Sequence, residues 1–98
     1  MILTGEIILW SAEKGSWHFF KTSIEDADTI RHITGHLPRK GFGSIKVHAT
    51  IGATTVHTSI FPDKDGSYWL PLKASLSKAE GLLAGDRTTV ELAFPDLI

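Results

Sequence analysis

Residues 44–61 read SIKVHATIGATTVHTSIF. Gly52-Ala53 stands at the centre, and glycine first in a two-residue turn suits the type II′ geometry, whose twist matches that of flanking strands. Folding the stretch on that turn sets Ile45, Val47, Ala49 and Ile51 opposite Ile60, Thr58, Val56 and Thr54. On the other side Lys46 meets Ser59, His48 meets His57, and Thr50 meets Thr55. One side is then apolar and the other wholly polar, so register and side-chain pattern agree.

Beyond Phe61 the chain runs through a turn, Pro62-Asp-Lys-Asp-Gly66, to a short strand from Ser67 to Leu70. Pro71 should end that strand because it has no N–H for the ladder. Alternation puts Tyr68 and Leu70 on one side and Trp69 on the other, and one of the two rings is expected to line a groove or interface. Lys73 to Glu80 reads as a helix with Leu72, Leu76, Ala79 and Leu83 as its buried stripe and Gly81 as its stop. Gly85-Asp86 turns into a last strand, Arg87–Phe94, closed by Pro95.

Before residue 44, Ile2 to Trp10 is a strand in which Gly5 marks a bulge or a close approach. Lys14-Gly15 turns into a second strand, where Trp17 and Phe19 point one way and His18 and Phe20 the other. Aromatic rings on both sides imply a strand covered on both faces, and Trp10, Trp17, Tyr68 and Trp69 are core candidates. Thr22-Ser-Ile-Glu25 fits a capping box with Thr22 as the cap, and Asp26 and Asp28 suit the positive end of the helix dipole. The helix carries Ile24, Ala27, Ile30 (or Arg31) and Ile33/Thr34 until Gly35, and residues 36–43 form a loop rich in glycine and proline.

A chain of 98 residues suffices for one domain, burying about 60–65% of its unfolded surface. It has no cysteine, which excludes disulfides, thiolate metal sites and thiol nucleophiles. Ten basic and eleven acidic residues leave a formal charge of −1, against the basic excess of an electrostatically driven nucleic-acid or membrane binder. The apolar start MILTGEIILW contains Glu6, lacks a basic lead and is too short to span a bilayer. A cytoplasmic protein is expected.

Several pieces taken together resemble a known family. They are Trp17 with Phe19-Phe20, Gly41-Phe42-Gly43-Ser44-Ile45-Lys46-Val47, Thr58-Ser59-Ile60-Phe61-Pro62, Leu70-Pro71-Leu72-Lys73, and Ala79-Glu80-Gly81 with Gly85-Asp86. Their order is similar to the bacterial domain-of-unknown-function family 1905, which implies a small six-stranded Greek-key barrel, sometimes joined to bacteriocin-protection-type domains. That family often has arginine where Ser77 stands and tryptophan where His57 stands. A role for a helix arginine therefore does not carry over, and His57 is a feature of this chain. Leu70-Pro71 through Gly85-Asp86 also resembles the swapped-hairpin motif of some transcription factors. What the two share physically is a glycine able to take positive φ beside an aspartate that can bond turn amides. By pattern and by resemblance the fold class is all-β: a small closed Greek-key barrel of about six strands with one or two short helices.

Four groups have chemistry to offer. His48 and His57 face each other across the hairpin and could give a metal two nitrogens, with His18 as a third ligand, but no spacing fixes that third position. His32 and His36 sit four apart near a helix end, without the glutamate that a zinc-protease motif needs. Pro38-Arg-Lys-Gly-Phe-Gly43 is a basic, glycine-rich loop leading to Lys46. Its amides and cations suit a phosphate or carboxylate, and Phe42 suits stacking on a ring. Asp63 and Asp65 resemble the start of a calcium loop, but Ala74 stands where that loop needs its glutamate.

No residues are assigned to catalysis or to a metal, and no motif specifies a cofactor. The expected function is a non-catalytic binding or accessory module for a small anionic ligand or a protein partner. Its surface would be Lys46, His48, His57 and Ser59, flanked by Arg39, Lys40, Phe42 and Trp69. An enzyme or metal site on His48/His57 is the first alternative. A swapped-hairpin-like DNA-binding dimer is the second, which the near-zero charge opposes.

Overall fold

The computed structural model describes residues 1–13, 15–37 and 43–97. Among them, six strands and two helices follow one another as β1 (Ile2–Ala12), β2 (Gly15–Lys21), α1 (Ile24–Thr34), β3 (Ile45–Ile51), β4 (Thr54–Pro62), β5 (Tyr68–Leu72), α2 (Ala74–Ala79) and β6 (Arg87–Ala93). The strands close into a barrel in the order β1-β2-β5-β4-β3-β6, antiparallel throughout, with β6 pairing back on β1. β3, β4 and β5 form a meander and β6 returns beside β3, which is a Greek-key connection. The expected barrel with two short helices is what the chain forms.

The 44–61 hairpin pairs in the expected register, from Ile45 with Ile60 to Ile51 with Thr54. Gly52 lies at φ +58°, which both primed hairpin turns require at their first position. Alternation then decides what fills the barrel. Leu3 and Ile7, Phe20, Val47 and Ala49, Ile60, Leu70, Val90 and Leu92 turn inward, and α1 and α2 add Ala27, Ile30 and Leu76 to the same cluster. Gly5 is a close approach and not a bulge, because its ladder with β6 is unbroken. A Cβ there would stand 2.9 Å from the Phe20 ring and overlap the Lys21 carbonyl. Among the described residues, no helix is long and apolar enough to cross a membrane.

Local chemistry moves several boundaries. Ser23, one residue later than expected, caps α1, its Oγ accepting the Asp26 N–H at 3.0 Å. Thr22 is buried instead, and its Oγ1 accepts the Tyr68 N–H at 2.9 Å. A buried amide without a partner costs more than an exposed cap contributes, so Thr22 serves the strand and Ser23 the helix. At the far end, Gly35 keeps a right-handed φ of −60°. β5 continues through Pro71 to Leu72, with Pro71 paired to Phe19.

α2 closes with Leu82 N–H donating to Ser77 O at 2.8 Å and Gly81 N–H to Lys78 O at 3.4 Å. Gly81 takes φ +63°, completing a Schellman motif that folds the next apolar residue back on the helix. Leu82 therefore packs on the core, while Leu83 and Ala79, expected inside, are exposed. Ser77 takes the buried place, and its Oγ has no hydrogen-bond partner. A hydroxyl left so costs about 1–3 kcal/mol. Ser77→Ala should then stabilise the protein by about 1 kcal/mol, read as a thermal midpoint higher by roughly 4–8 °C. A lower midpoint would mean that the hydroxyl is bonded.

Candidate functional site

The side of the 44–61 hairpin away from the core is the outer wall of the barrel, and Pro71 gives that wall its opening. Thr22 and Tyr68 bond each other, Thr22 N–H donating to Tyr68 O at 3.0 Å, so even-numbered residues of β5 bond β2. The odd-numbered Pro71 then turns its nitrogen towards β4, where it has no hydrogen to give. β4 and β5 pair only at Pro62–Tyr68 and Phe61–Trp69, and Ser59, next in line, is left unpaired with Pro71. Beside that seam, over the outer face of β3 and β4, lies a groove of about 680 Å³ lined by Lys46, His48, His57, Ser59, Phe61 and Pro71, among others, with Pro95 and Asp96.

The polar groups there are directed but sparsely partnered. His48 and His57 stack with ring centroids 3.9 Å apart and planes 17° from parallel. Imidazole lone pairs lie in the ring plane, so in this stack they run side by side and do not converge at about 2.0–2.1 Å on one ion. His18 lies elsewhere, in a depression with Trp17 and Lys73. No group of three His, Asp or Glu able to hold a metal occurs among the described residues. Lys46 is exposed and outside both salt bridges found among those residues, Lys21–Asp65 and Arg31–Asp28. His32 and His36 are exposed on either side of the end of α1.

Phe61 also borders a second cavity of about 360 Å³, with Trp10, Phe19, Trp69, Pro62 and Asp63. Trp69 is held from three directions. Its Nε1–H donates to Asp63 Oδ2 at 2.9 Å, its ring meets Phe19 edge-on at 5.1 Å, and Lys21 Nζ lies 5.6 Å from its centroid. The Pro62–Gly66 turn supplies Asp63 directly and anchors Lys21 through Asp65. Asp63 Oδ1 accepts the Lys64 N–H, and Asp65 accepts both the N–H and the Oγ–H of Ser67 while pairing with Lys21 at 2.6 Å.

Lys21 first, then the two Ser67 bonds, hold the Asp65 carboxyl well below its ordinary pKa. A carboxylate stabilised in the folded state adds stability above its unfolded pKa and loses it as pH falls through the folded one. Asp65→Asn should therefore lower the thermal midpoint at neutral pH, with the difference constant down to about pH 5 and shrinking below about pH 4. A difference that grows with acid would contradict the pairing.

Lys46, His48, His57 and Ser59 are thus brought together, and Trp69 stands in the adjoining cavity. Arg39, Lys40 and Phe42 lie outside the described residues. Phe61, Pro71, Trp10 and Phe19 were not expected at the site. Trp10 and Trp17, taken as core, pack on each other at 5.3 Å and remain 50% and 47% exposed. Their parity carried the signal: Trp10 alternates with Glu6, and Trp17 and Phe19 with Lys21, so those faces were marked for the outside.

The Leu70–Asp86 run ends in a turn held against β1. Gly85, at φ +90°, donates its N–H to Ile7 O at 2.8 Å, and Asp86 Oδ2 accepts the Leu83 N–H at 3.0 Å. The Gly-Asp pair is thus the folding device expected of it, docking the last turn on β1. No curated protein and no solved structure matches the chain. A family model described as a domain of unknown function, DUF1905, matches residues 4–92. With the six-stranded closed barrel and a match over nearly its whole length, this chain belongs to the DUF1905 family.

Proposed function

We propose that this barrel is a non-catalytic binding module that takes a small anionic ligand in the groove on the outer face of β3 and β4. The observation that carries the reading is the gathering of Lys46, His48, His57 and Ser59 beside a seam that Pro71 keeps open. An ammonium group, a hydroxyl and imidazole N–H groups are the donors that a phosphate or carboxylate accepts from. Asp96, in the same groove, offsets the charge of Lys46, so attraction rests on directed hydrogen bonds and weak affinity is expected. A protein partner is the second reading, favoured by the exposed Trp10–Trp17 pair.

The test is a titration of the 15N-labelled protein with inorganic phosphate and ribose 5-phosphate. Backbone signals of Lys46, His48, His57 and Ser59 should move together. Lys46→Glu should weaken binding by about 10–100-fold, the worth of one charged hydrogen bond. Signals that stay still at millimolar anion would rule out the groove as an anion site.

A further inference from the structure

We infer that the ligand is a mononucleotide, its base seated among Trp10, Phe19, Phe61 and Trp69 and its phosphate on Lys46 and Ser59. This inference rests on the anion-binding reading of the groove and extends it into the neighbouring cavity. Phe61 borders both. The cavity of about 360 Å³ is walled by four aromatic rings, and stacking on such rings recognises any flat ring system.

Two observations narrow the class of ring. Trp69 is fixed by Asp63, Phe19 and Lys21, so a stacked ring meets a surface that needs no reordering. Asp63 is the acid in that cavity, and its oxygens already accept from Lys64 N–H and Trp69 Nε1–H. A carboxylate has about four acceptor positions, so capacity remains for a ring amine or N–H. A heterocycle with an amino group satisfies it, whereas a plain hydrocarbon ring would leave it desolvated and unmatched.

Spacing supplies the third argument. Ser59 is two residues from Phe61 along β4, roughly 6.6 Å, and Lys46 lies directly across from Ser59, one strand spacing or roughly 4.8 Å further. A pentose between base and phosphate bridges a step of this size. Lys46 and Ser59 then meet the phosphate at one end while Asp63 meets the base at the other. The negative charge of Asp63 stays at the end away from the phosphate.

The experiment compares adenosine 5′-monophosphate, adenosine and ribose 5-phosphate by NMR on the full 15N-labelled chain, whose three tryptophans give separate indole N–H signals. The expected result is that the nucleotide moves the Trp10 and Trp69 indole signals and the Lys46 and Ser59 amides with one common affinity. That affinity should be about tenfold or more above either fragment. Trp10→Ala, at a position that lines the aromatic cavity and not the groove, should weaken nucleotide binding by roughly 5–100-fold and leave ribose 5-phosphate unchanged. Phe19→Ala, in the same cavity and outside the groove, repeats the test should Trp10→Ala fail to keep the native amide spectrum.

Equal affinity for the nucleotide and ribose 5-phosphate, with still indole signals, would overturn the inference and leave the anion groove standing. Adenosine binding as tightly as its monophosphate, with no binding of ribose 5-phosphate, would overturn both the inference and the anion reading. Absence of binding by all three compounds would do the same.

Discussion

Gly5→Ala is expected to lower the free energy of unfolding by about 3 kcal/mol, or roughly 12–24 °C in thermal midpoint for a chain of this size. The position lies in β1, facing inward, where the Phe20 ring fills the space that a side chain would otherwise take. A methyl group there meets the ring at 2.9 Å and also the carbonyl of Lys21 on the neighbouring strand. The ring can turn aside, but the carbonyl belongs to the ladder and moves only with its strand. Overpacking against backbone is the expensive kind. Gly85→Ala makes the comparison, since nothing lies within 4 Å of a Cβ there. Its cost is the positive φ alone, about 1 kcal/mol. Urea unfolding of the two variants separates the cases. In a Phe20→Leu background the Gly5→Ala loss should fall only in part, because the carbonyl overlap remains. Complete relief would show that the ring alone sets the limit.

Phe20→Ala should cost about 4 kcal/mol. Phe20 is the largest of the fully buried side chains, at 1% exposure, and it packs in the one cluster to which all six strands contribute. Losing its ring removes transfer free energy and leaves a cavity that a closed barrel cannot collapse, because each strand is tied on both sides. Against a typical total of about 5–15 kcal/mol, this single change takes a large share of the stability. Phe20→Leu keeps most of the volume and should lose much less, about 1 kcal/mol. A loss below about 1.5 kcal/mol for the alanine variant would mean that the barrel relaxes into the space.

How much of the site was legible depended on whether a feature was local. The meeting of His48 with His57 and of Lys46 with Ser59 followed from one glycine turn and a two-residue period, both short-range. The groove beside them did not, because it depends on β5 lying next to β4 and on which side of β5 carries the nitrogen of Pro71. Trp10 and Trp17 were misjudged as core because aromatic rings on both sides of β2 suggested cover on both faces, although Glu6 and Lys21 marked their sides as outward. The cap of α1 was read one residue early, because Thr22 and Ser23 are equally good local caps. Only the distant Tyr68 amide separates them.

The sequence by itself determined what period and turn chemistry can carry: an all-β chain, the 44–61 register, the helices, the stop at Gly81 and the Gly85-Asp86 turn. Each is set by neighbours within a few residues, where backbone sterics and alternation act directly. Tertiary structure alone decided the rest. Barrel closure brings β2 and β5 together across a long stretch of chain, so that Phe19, Trp69 and Phe61 share one cavity. Pro71 breaks one ladder and spares the other, because the missing N–H matters only on the side that faces a partner. That sidedness is a property of the closed sheet, and no local pattern of residues encodes it.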